Sequence, residues 1–382
     1  MTTSASIGPP LWLLLELTYR CPLQCAFCYN PVDFAQTQEE LGTEDWLRVL
    51  HEARALGSVQ LGLSGGEPLL RDDVEVIAQE AHALGFYSNL ITSGVGLTQK
   101  RLAALKLAGL DHIQLSFQDS SRELNDFLSN TRTFELKRRV ASWIKAHEYP
   151  MVVNCVIHRL NIDRIGDIIA LADEIGAEYL ELANAQYYSW AYLNREQLLP
   201  SRAQLTRAEQ ITNEWRERLA GRMRILFVTP DYYETRPKRC MNGWGSTFMT
   251  ITPDGTALPC HTAKMLPGLS FPNVRTSSIR DIWFESDSFN RFRGTAWMKE
   301  PCASCDEREK DLGGCRCQAL LLANDANAAD PVCDKSPHHA MVTRAVTHAQ
   351  HDTVREQPLI FRHRDTSRSL SCSASSSTDS SR

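Results

Sequence analysis

Leu11-Trp-Leu-Leu-Leu-Glu-Leu17-Thr-Tyr-Arg-Cys21-Pro-Leu-Gln-Cys25-Ala-Phe-Cys28 runs an apolar segment directly into three thiols spaced C-x3-C-x2-C. The apolar part, Leu11–Leu17, reads as a short buried strand. Outward from it, five further runs have the same texture: Val59–Leu63, Phe86–Thr92, His112–Phe117, Met151–Ile157 and Tyr179–Ala183. The segments between them have helical periodicity. In Thr43–Leu56, Thr43 is placed to cap the N-terminus, and Trp46, Leu47 and Leu50 share one face. Gly57 and Gly85 stand where C-caps belong, and Asn161–Ile175 is another such helix, closed by Gly176. Strands alternating with crossover helices imply a parallel sheet. Six βα units are too few for a complete eight-stranded barrel. The expected fold class is therefore α/β, with a partial (β/α)6 TIM-type barrel over residues 1–200.

Composition narrows the function classes. The 382 residues are 43% hydrophobic and 23% charged, enough to bury one large core or two ordinary ones. A net charge of -5 excludes a basic nucleic-acid binder. No apolar run reaches transmembrane length. Leu11–Leu17 lacks a basic flank and a small-residue cleavage site, and Glu16 interrupts it, so no signal peptide is expected and the localisation is cytoplasmic. Twelve cysteines in a reducing compartment point to metal rather than disulfides. Three lie at 21, 25 and 28 and seven between 240 and 333, while Cys155 and Cys372 stand apart. Residues 201–229 read as a linking helix and connector. Residues 230–340 form a cysteine-rich second domain with short strands, one that needs metal staples. Residues 341–382 are a tail whose end, with nine serines between Ser367 and Ser381, is expected to be disordered.

Three thiolates within eight residues can hold three corners of a cubane iron–sulfur cluster, leaving one iron free for a small molecule. A zinc site would want a fourth ligand, and the nearest histidine, His51, sits inside the first helix. At the end of the second strand comes Ser64-Gly65-Gly66-Glu67-Pro68. Its paired glycines let backbone approach a ligand, and Glu67 can hold an ammonium group. Together the two motifs resemble the radical S-adenosylmethionine (SAM) superfamily. The resemblance implies a [4Fe-4S] cluster whose free iron chelates the SAM amine and carboxylate, with Phe27 packing the adenine and Gly65, Gly66 and Glu67 contacting the cofactor. On the same C-terminal rim, Ser116, Gln118 and Asn154 are further candidates for SAM contacts, beside Thr92-Ser93-Gly94 and Asn184. Cys155 points to the opposite sheet face from Asn154 and reads as a core thiol.

The C-terminal half carries Cys240, Gly255, Cys260, Cys302, Cys305, Asp311, Cys315, Cys317 and Cys333. The spacing resembles the SPASM extension, C-x9-15-G-x4-C followed by C-x2-C-x5-C-x3-C and a last cysteine. Asp311 stands where the third cysteine of the second group is expected, and Cys317 is additional. The resemblance implies two auxiliary clusters, one [4Fe-4S] and the other [2Fe-2S] or [4Fe-4S]. One would use Cys240, Cys260, Cys315 and Cys317; the other Cys302, Cys305, Asp311 and Cys333. A pair of zinc ribbons is the alternative for these cysteines.

Leu17-Thr-Tyr-Arg-Cys21-Pro-Leu-Gln-Cys25, the stretch Glu181-Leu-Ala-Asn-Ala-Gln-Tyr-Tyr-Ser-Trp-Ala-Tyr192 and the cysteine spacing resemble the PqqE family of peptide cyclases in pyrroloquinoline quinone biosynthesis. That resemblance implies reductive SAM cleavage and hydrogen abstraction from a glutamate of the precursor peptide PqqA. A carbon–carbon bond to a nearby tyrosine would follow. It also implies the peptide chaperone PqqD and an external electron donor as partners, with no nucleic acid and no membrane. Tyr187, Tyr188, Trp190 and Tyr192 are candidates to grip the peptide, with packing between the two domains as the other reading. No catalytic base is assigned. The alternatives are another SPASM peptide maturase, thioether-forming or sulfatase-activating, or a non-catalytic metal-stabilised electron-transfer or binding protein.

Overall fold

A computed structural model of the chain describes residues 7–36, 39–350 and 358–369. All six expected strands form: β1 (Trp12–Thr18), β2 (Gln60–Gly65), β3 (Tyr87–Thr92), β4 (His112–Phe117), β5 (Met151–Ile157) and β6 (Tyr179–Asn184). Three more follow, β7 (Arg224–Phe227), β8 (Phe248–Ile251) and β9 (Ala257–Leu258). They make one nine-stranded sheet in the order β7-β6-β5-β4-β3-β2-β1-β8-β9. Every pairing is parallel except β8 with β9. The sheet curls without closing, so the fold is the expected partial barrel with a second, cysteine-rich domain.

Along β4 and β5 buried residues alternate with half-buried ones. Leu115, Val153 and Cys155 face the helices, while Ser116 and Asn154 face the lumen. The helix Thr43–Leu56 covers the outer face with Trp46, Val49, Leu50 and Ala53. Fully burying a large apolar side chain of this kind contributes about 1.5–3 kcal/mol. The helix ends at Gly57 in the left-handed region. Its N-cap is Gly42 rather than the expected Thr43, whose hydroxyl instead donates to Asp73 at 2.7 Å. A hydrogen bond to the next helix thus takes the place of a local cap.

The connector is not a passive link. After the helix Arg202–Arg218 it supplies β7, which pairs with β6. Likewise β8 pairs with β1, so the cysteine-rich domain extends the sheet of the barrel. Parts of the stretch read as a tail beyond residue 341 are built into the fold. The helix His339–His348 forms there, and residues 358–369 return to the barrel, with Ser367 fully buried. Cys372 and the rest of the serine run lie outside the described residues. Among the described residues no helix is long and apolar enough to cross a membrane.

Candidate functional site

The three-thiol loop leaves the C-terminal end of β1 and is pinned on several sides. Gln24 and Ala26 donate backbone N–H groups to Ser129 and Leu128 at 2.8 and 3.4 Å, and Asn194 donates to Ala26 O at 2.8 Å. From β2, Gly66 N donates to Thr18 O at 2.6 Å and Glu67 N to Arg20 O at 2.8 Å. A Cβ on Gly65 would stand 2.4 Å from Thr18 O, and one on Gly66 2.4 Å from Arg20 O. Gly65 also has φ +124°, where only glycine is unstrained. The paired glycines thus let β2 approach the loop backbone closely. Asn30 joins the two motifs, accepting from Cys28 Sγ at 3.5 Å and donating to Gly65 O at 3.3 Å. Burial pushes the three thiols upward, Cys25 to about 12, against the pull of Lys137 and Arg362. Buried thiols resist ionisation unless a metal takes the proton's place.

Glu67 is fully buried, and its carboxylate accepts from Thr92 Oγ1 at 2.7 Å, Leu69 N at 3.1 Å, and Ser93 N and Oγ at 2.8 and 2.5 Å. Burial raises its pKa and these donors oppose the rise. Phe27 lies 5.1 Å from the ring of His158, whose pKa burial lowers to about 3. Ser116, Asn154 and Glu181 are in register across β4, β5 and β6, and Asn154 donates to Glu181 at 2.8 Å. Gln118 is turned away from this row, its side-chain oxygen accepting from the buried Lys137.

Cys240, Cys260, Cys315 and Cys317 come together although 77 positions separate the ends of the set. Cys240 and Cys317 each neighbour both Cys260 and Cys315, making a ring of four thiols, three of them buried and Cys240 partly so, in which Cys260 and Cys315 are held low. Thr262 Oγ1 donates to Cys317 Sγ at 3.3 Å, and Tyr188 OH lies 3.7 Å from Cys315 Sγ. In the second set, burial raises the Cys302 thiol to about 11, and Cys302 feels Asp311, Cys333 and Cys305. Cys333 in turn feels Asp311. Asp311 accepts from Gly313 N at 2.8 Å. Arg316 and Asp330 brace both sets. Arg316 donates to Ala326 O and Ala328 O, and Asp330 accepts from Cys315 N at 2.7 Å and Val332 N at 3.0 Å.

Of the aromatic run, Tyr187 and Trp190 are buried, while Tyr188 and Tyr192 stay half-buried, Tyr192 lining a cavity. Trp190 is fully buried, Tyr187 donates to Leu198 O, and Tyr192 donates to Leu321 O at 3.1 Å. Tyr188 lies against Cys315. Packing outweighs exposure for the two buried rings, which are largely apolar.

Several residues of the site carry no sequence motif. Glu16 is buried on β1, accepts from Tyr19 OH at 2.7 Å, and leaves Oε1 without a partner among the described residues. It acts electrostatically on Cys28 and feels Cys260, so it stands between the loop and the four-thiol ring. Burial raises its pKa. Tyr29 and His261, each next to one of those cysteines in sequence, pack edge to face at 5.0 Å.

Among the described residues no three His, Cys, Asp or Glu side chains converge as ligands of one metal ion. A cluster spreads its ligands over several irons, and grouped thiols are the soft donors it uses. The loop and the ring fit such groups. Residues 15–172 match the Radical SAM superfamily and residues 240–306 match SPASM, an iron-sulfur cluster-binding domain. Among solved structures, the chain is similar to Streptococcus suis SuiB bound to S-adenosylmethionine, with TM-score 0.71, 19% identity, and coverage of 86% of this chain and 78% of that one. SuiB bound to its precursor peptide SuiA gives TM-score 0.68 at 18% identity, covering 86% and 76%. Native anSMEcpe with bound AdoMet and Kp18Cys peptide gives TM-score 0.63 at 16% identity, covering 91% and 98%. At these identities the likeness is one of fold. The domain matches carry the assignment: the chain has a Radical SAM domain over residues 15–172 and a SPASM iron-sulfur cluster-binding domain over residues 240–306.

Proposed function

We propose that the chain is a radical SAM oxidoreductase that modifies a precursor peptide, and specifically that it forms the glutamate–tyrosine carbon–carbon crosslink in PqqA. The observation that carries the reading is the three-thiol loop buttressed by the Gly65-Gly66-Glu67 strand end, with the four-thiol ring approached through Glu16 and the Tyr29–His261 contact. SuiB, similar in fold, has been seen with a precursor peptide, which supports a peptide substrate. The PqqA assignment rests on the sequence resemblance and on Asp311 lying beside Cys302 and Cys333.

Cys21, Cys25 and Cys28 would hold the SAM-binding cluster. Cys240, Cys260, Cys315 and Cys317 would hold one auxiliary cluster, and Cys302, Cys305, Asp311 and Cys333 the other. When bound, the loop cluster and SAM supply one-electron cleavage and hence hydrogen-atom abstraction, chemistry that no side chain provides. The chain's own residues do the positioning. Gly65 and Gly66 fix the loop, Glu67 fixes the Thr92–Ser93 turn, and Phe27 with His158 walls the lumen. Ser116, Asn154 and Glu181 present a polar row to a bound cofactor.

The decisive experiment is anaerobic reconstitution with SAM, PqqA, PqqD and a low-potential reductant, followed by mass spectrometry. PqqA should lose two hydrogens and gain a Glu–Tyr crosslink. A crosslink through cysteine sulfur, or an unchanged mass beside SAM cleavage, would favour another SPASM maturase.

A further inference from the structure

The chain beyond the helix His339–His348 comes back to the three-thiol loop. Asn194 accepts from Ile360 N at 2.7 Å and donates to Ile360 O and Ala26 O, both at 2.8 Å. One side chain thus ties the returning segment to the loop between Cys25 and Cys28. Two residues on, Arg362 is only 3% exposed. Its guanidinium lies 3.9 Å over the Phe34 ring and donates to Tyr19 O at 2.5 Å. Its Nε has no hydrogen-bond partner among the described residues. Phe361 packs edge-on against Phe127 at 5.9 Å, and Ala35 N donates to Ser367 Oγ at 3.2 Å. With Cys21 and Arg20, Arg362 also lines a cavity of about 760 Å³ along the loop.

A buried guanidinium with an open N–H is costly unless an anion faces it. One carbonyl and one aromatic face do not balance a full charge. The cavity that Arg362 lines holds Cys21 and the start of the thiol loop, with Glu39 and with Glu40, which is paired with Arg20 and Arg71. Arg362 is the cation that pulls hardest on Cys21 and Cys28, and it acts on Cys25 as well.

We infer that Arg362, delivered by the C-terminal segment, is the counter-charge of the loop site, neutralising Cys21, Cys25 and Cys28 as thiolates when they hold an iron–sulfur cluster. The assignment rests on the reading of those cysteines as cluster ligands. A cation beside a cluster favours its reduced, more negative state, so removing it lowers the reduction potential.

The test is a redox titration of the reconstituted full-length chain, followed by electron paramagnetic resonance with iron content measured alongside. At a fixed potential, Arg362→Gln should lower the reduced-to-oxidised ratio of the loop cluster by about tenfold. The auxiliary signals should stay at the parent's potentials, which also reports that the chain has folded. Arg362→Lys keeps the charge and should recover part of the lost ratio. A parent-like ratio in Arg362→Gln would overturn the assignment. An equal loss in Arg362→Lys would do the same, because packing on Phe34 would then be what the loop requires. Should Arg362→Gln retain no loop iron, Arg362→Lys decides: recovered iron supports the assignment and continued loss overturns it. A parent that assembles auxiliary clusters but no loop cluster would instead overturn the reading of the three cysteines.

Discussion

Asp311 stands where the SPASM spacing calls for a cysteine, and the fold sets it within electrostatic reach of Cys302 and Cys333. A carboxylate is a harder donor than a thiolate, so an iron it holds is bound more weakly and the cluster's potential shifts. Asp311→Ala should change the spectrum of one auxiliary cluster only and impair crosslinking more than SAM cleavage. Iron content, spectra and product all matching the parent would remove Asp311 from the ligand set. His158 allows a pH prediction. Burial holds its folded pKa at about 3, below the ordinary 6.5, so protons bind the unfolded chain more tightly. Its contribution is full above pH 6.5 and is lost as the pH falls toward 3. Between pH 7 and 5 it should remove about 2 kcal/mol of stability. His158→Leu should show a correspondingly shallower loss by denaturant titration of the cluster-free chain. Equal pH dependence in the two proteins would show that His158 does not drive it.

At the scale of elements, the three-thiol loop and the β2 strand end behave as one unit. Replacing Cys21, Cys25 and Cys28 together by Ala should abolish 5'-deoxyadenosine formation while the auxiliary clusters remain, because their ligands all lie beyond residue 239. Normal deoxyadenosine formation by that variant would sink the loop assignment. Gly66→Ala puts a methyl 2.4 Å from Arg20 O, a backbone atom that cannot swing aside. Overpacking of this kind costs about 1–3 kcal/mol. Its effect should appear as lost loop iron with the auxiliary iron intact, measured by iron content and spectra. The strands of this unit are legible in the sequence because Leu13–Leu15 with Leu17, and Leu61 with Leu63, are short apolar clusters closed by turn residues. β7 and β8 are not, since four residues are too few to show a period.

For the whole molecule, the pairing of β8 with β1 makes the two domains share one sheet. A chain ending at residue 229 would lose β8 and expose the edge of β1 along Trp12, Leu13, Leu14 and Leu15. Unpaired apolar edges aggregate. This truncated chain should be insoluble or oligomeric by size-exclusion chromatography. A soluble, monomeric 1–229 protein with native-like circular dichroism would show that the barrel does not need the shared edge.

The sequence by itself determined the six βα units, the three-thiol loop and the crowding of seven cysteines between 240 and 333, whose division into two sets is what the family resemblance implies. Those are properties of neighbours along the chain: apolar period, turn residues and ligand spacing. Only the tertiary structure decided that Cys240, Cys260, Cys315 and Cys317 meet around one point and that Tyr187 and Trp190 of the aromatic run pack inward. It also decided that Glu16 stands between the loop and the ring, and that Gly65 and Gly66 let β2 approach the loop backbone closely. Arg362 is the extreme case, lying 343 positions from the Tyr19 carbonyl it binds. No local pattern marks it, because its place depends on a returning segment held by Asn194 rather than on its own neighbours. Spacing is encoded in covalent geometry, whereas burial and charge environment arise only when distant segments pack.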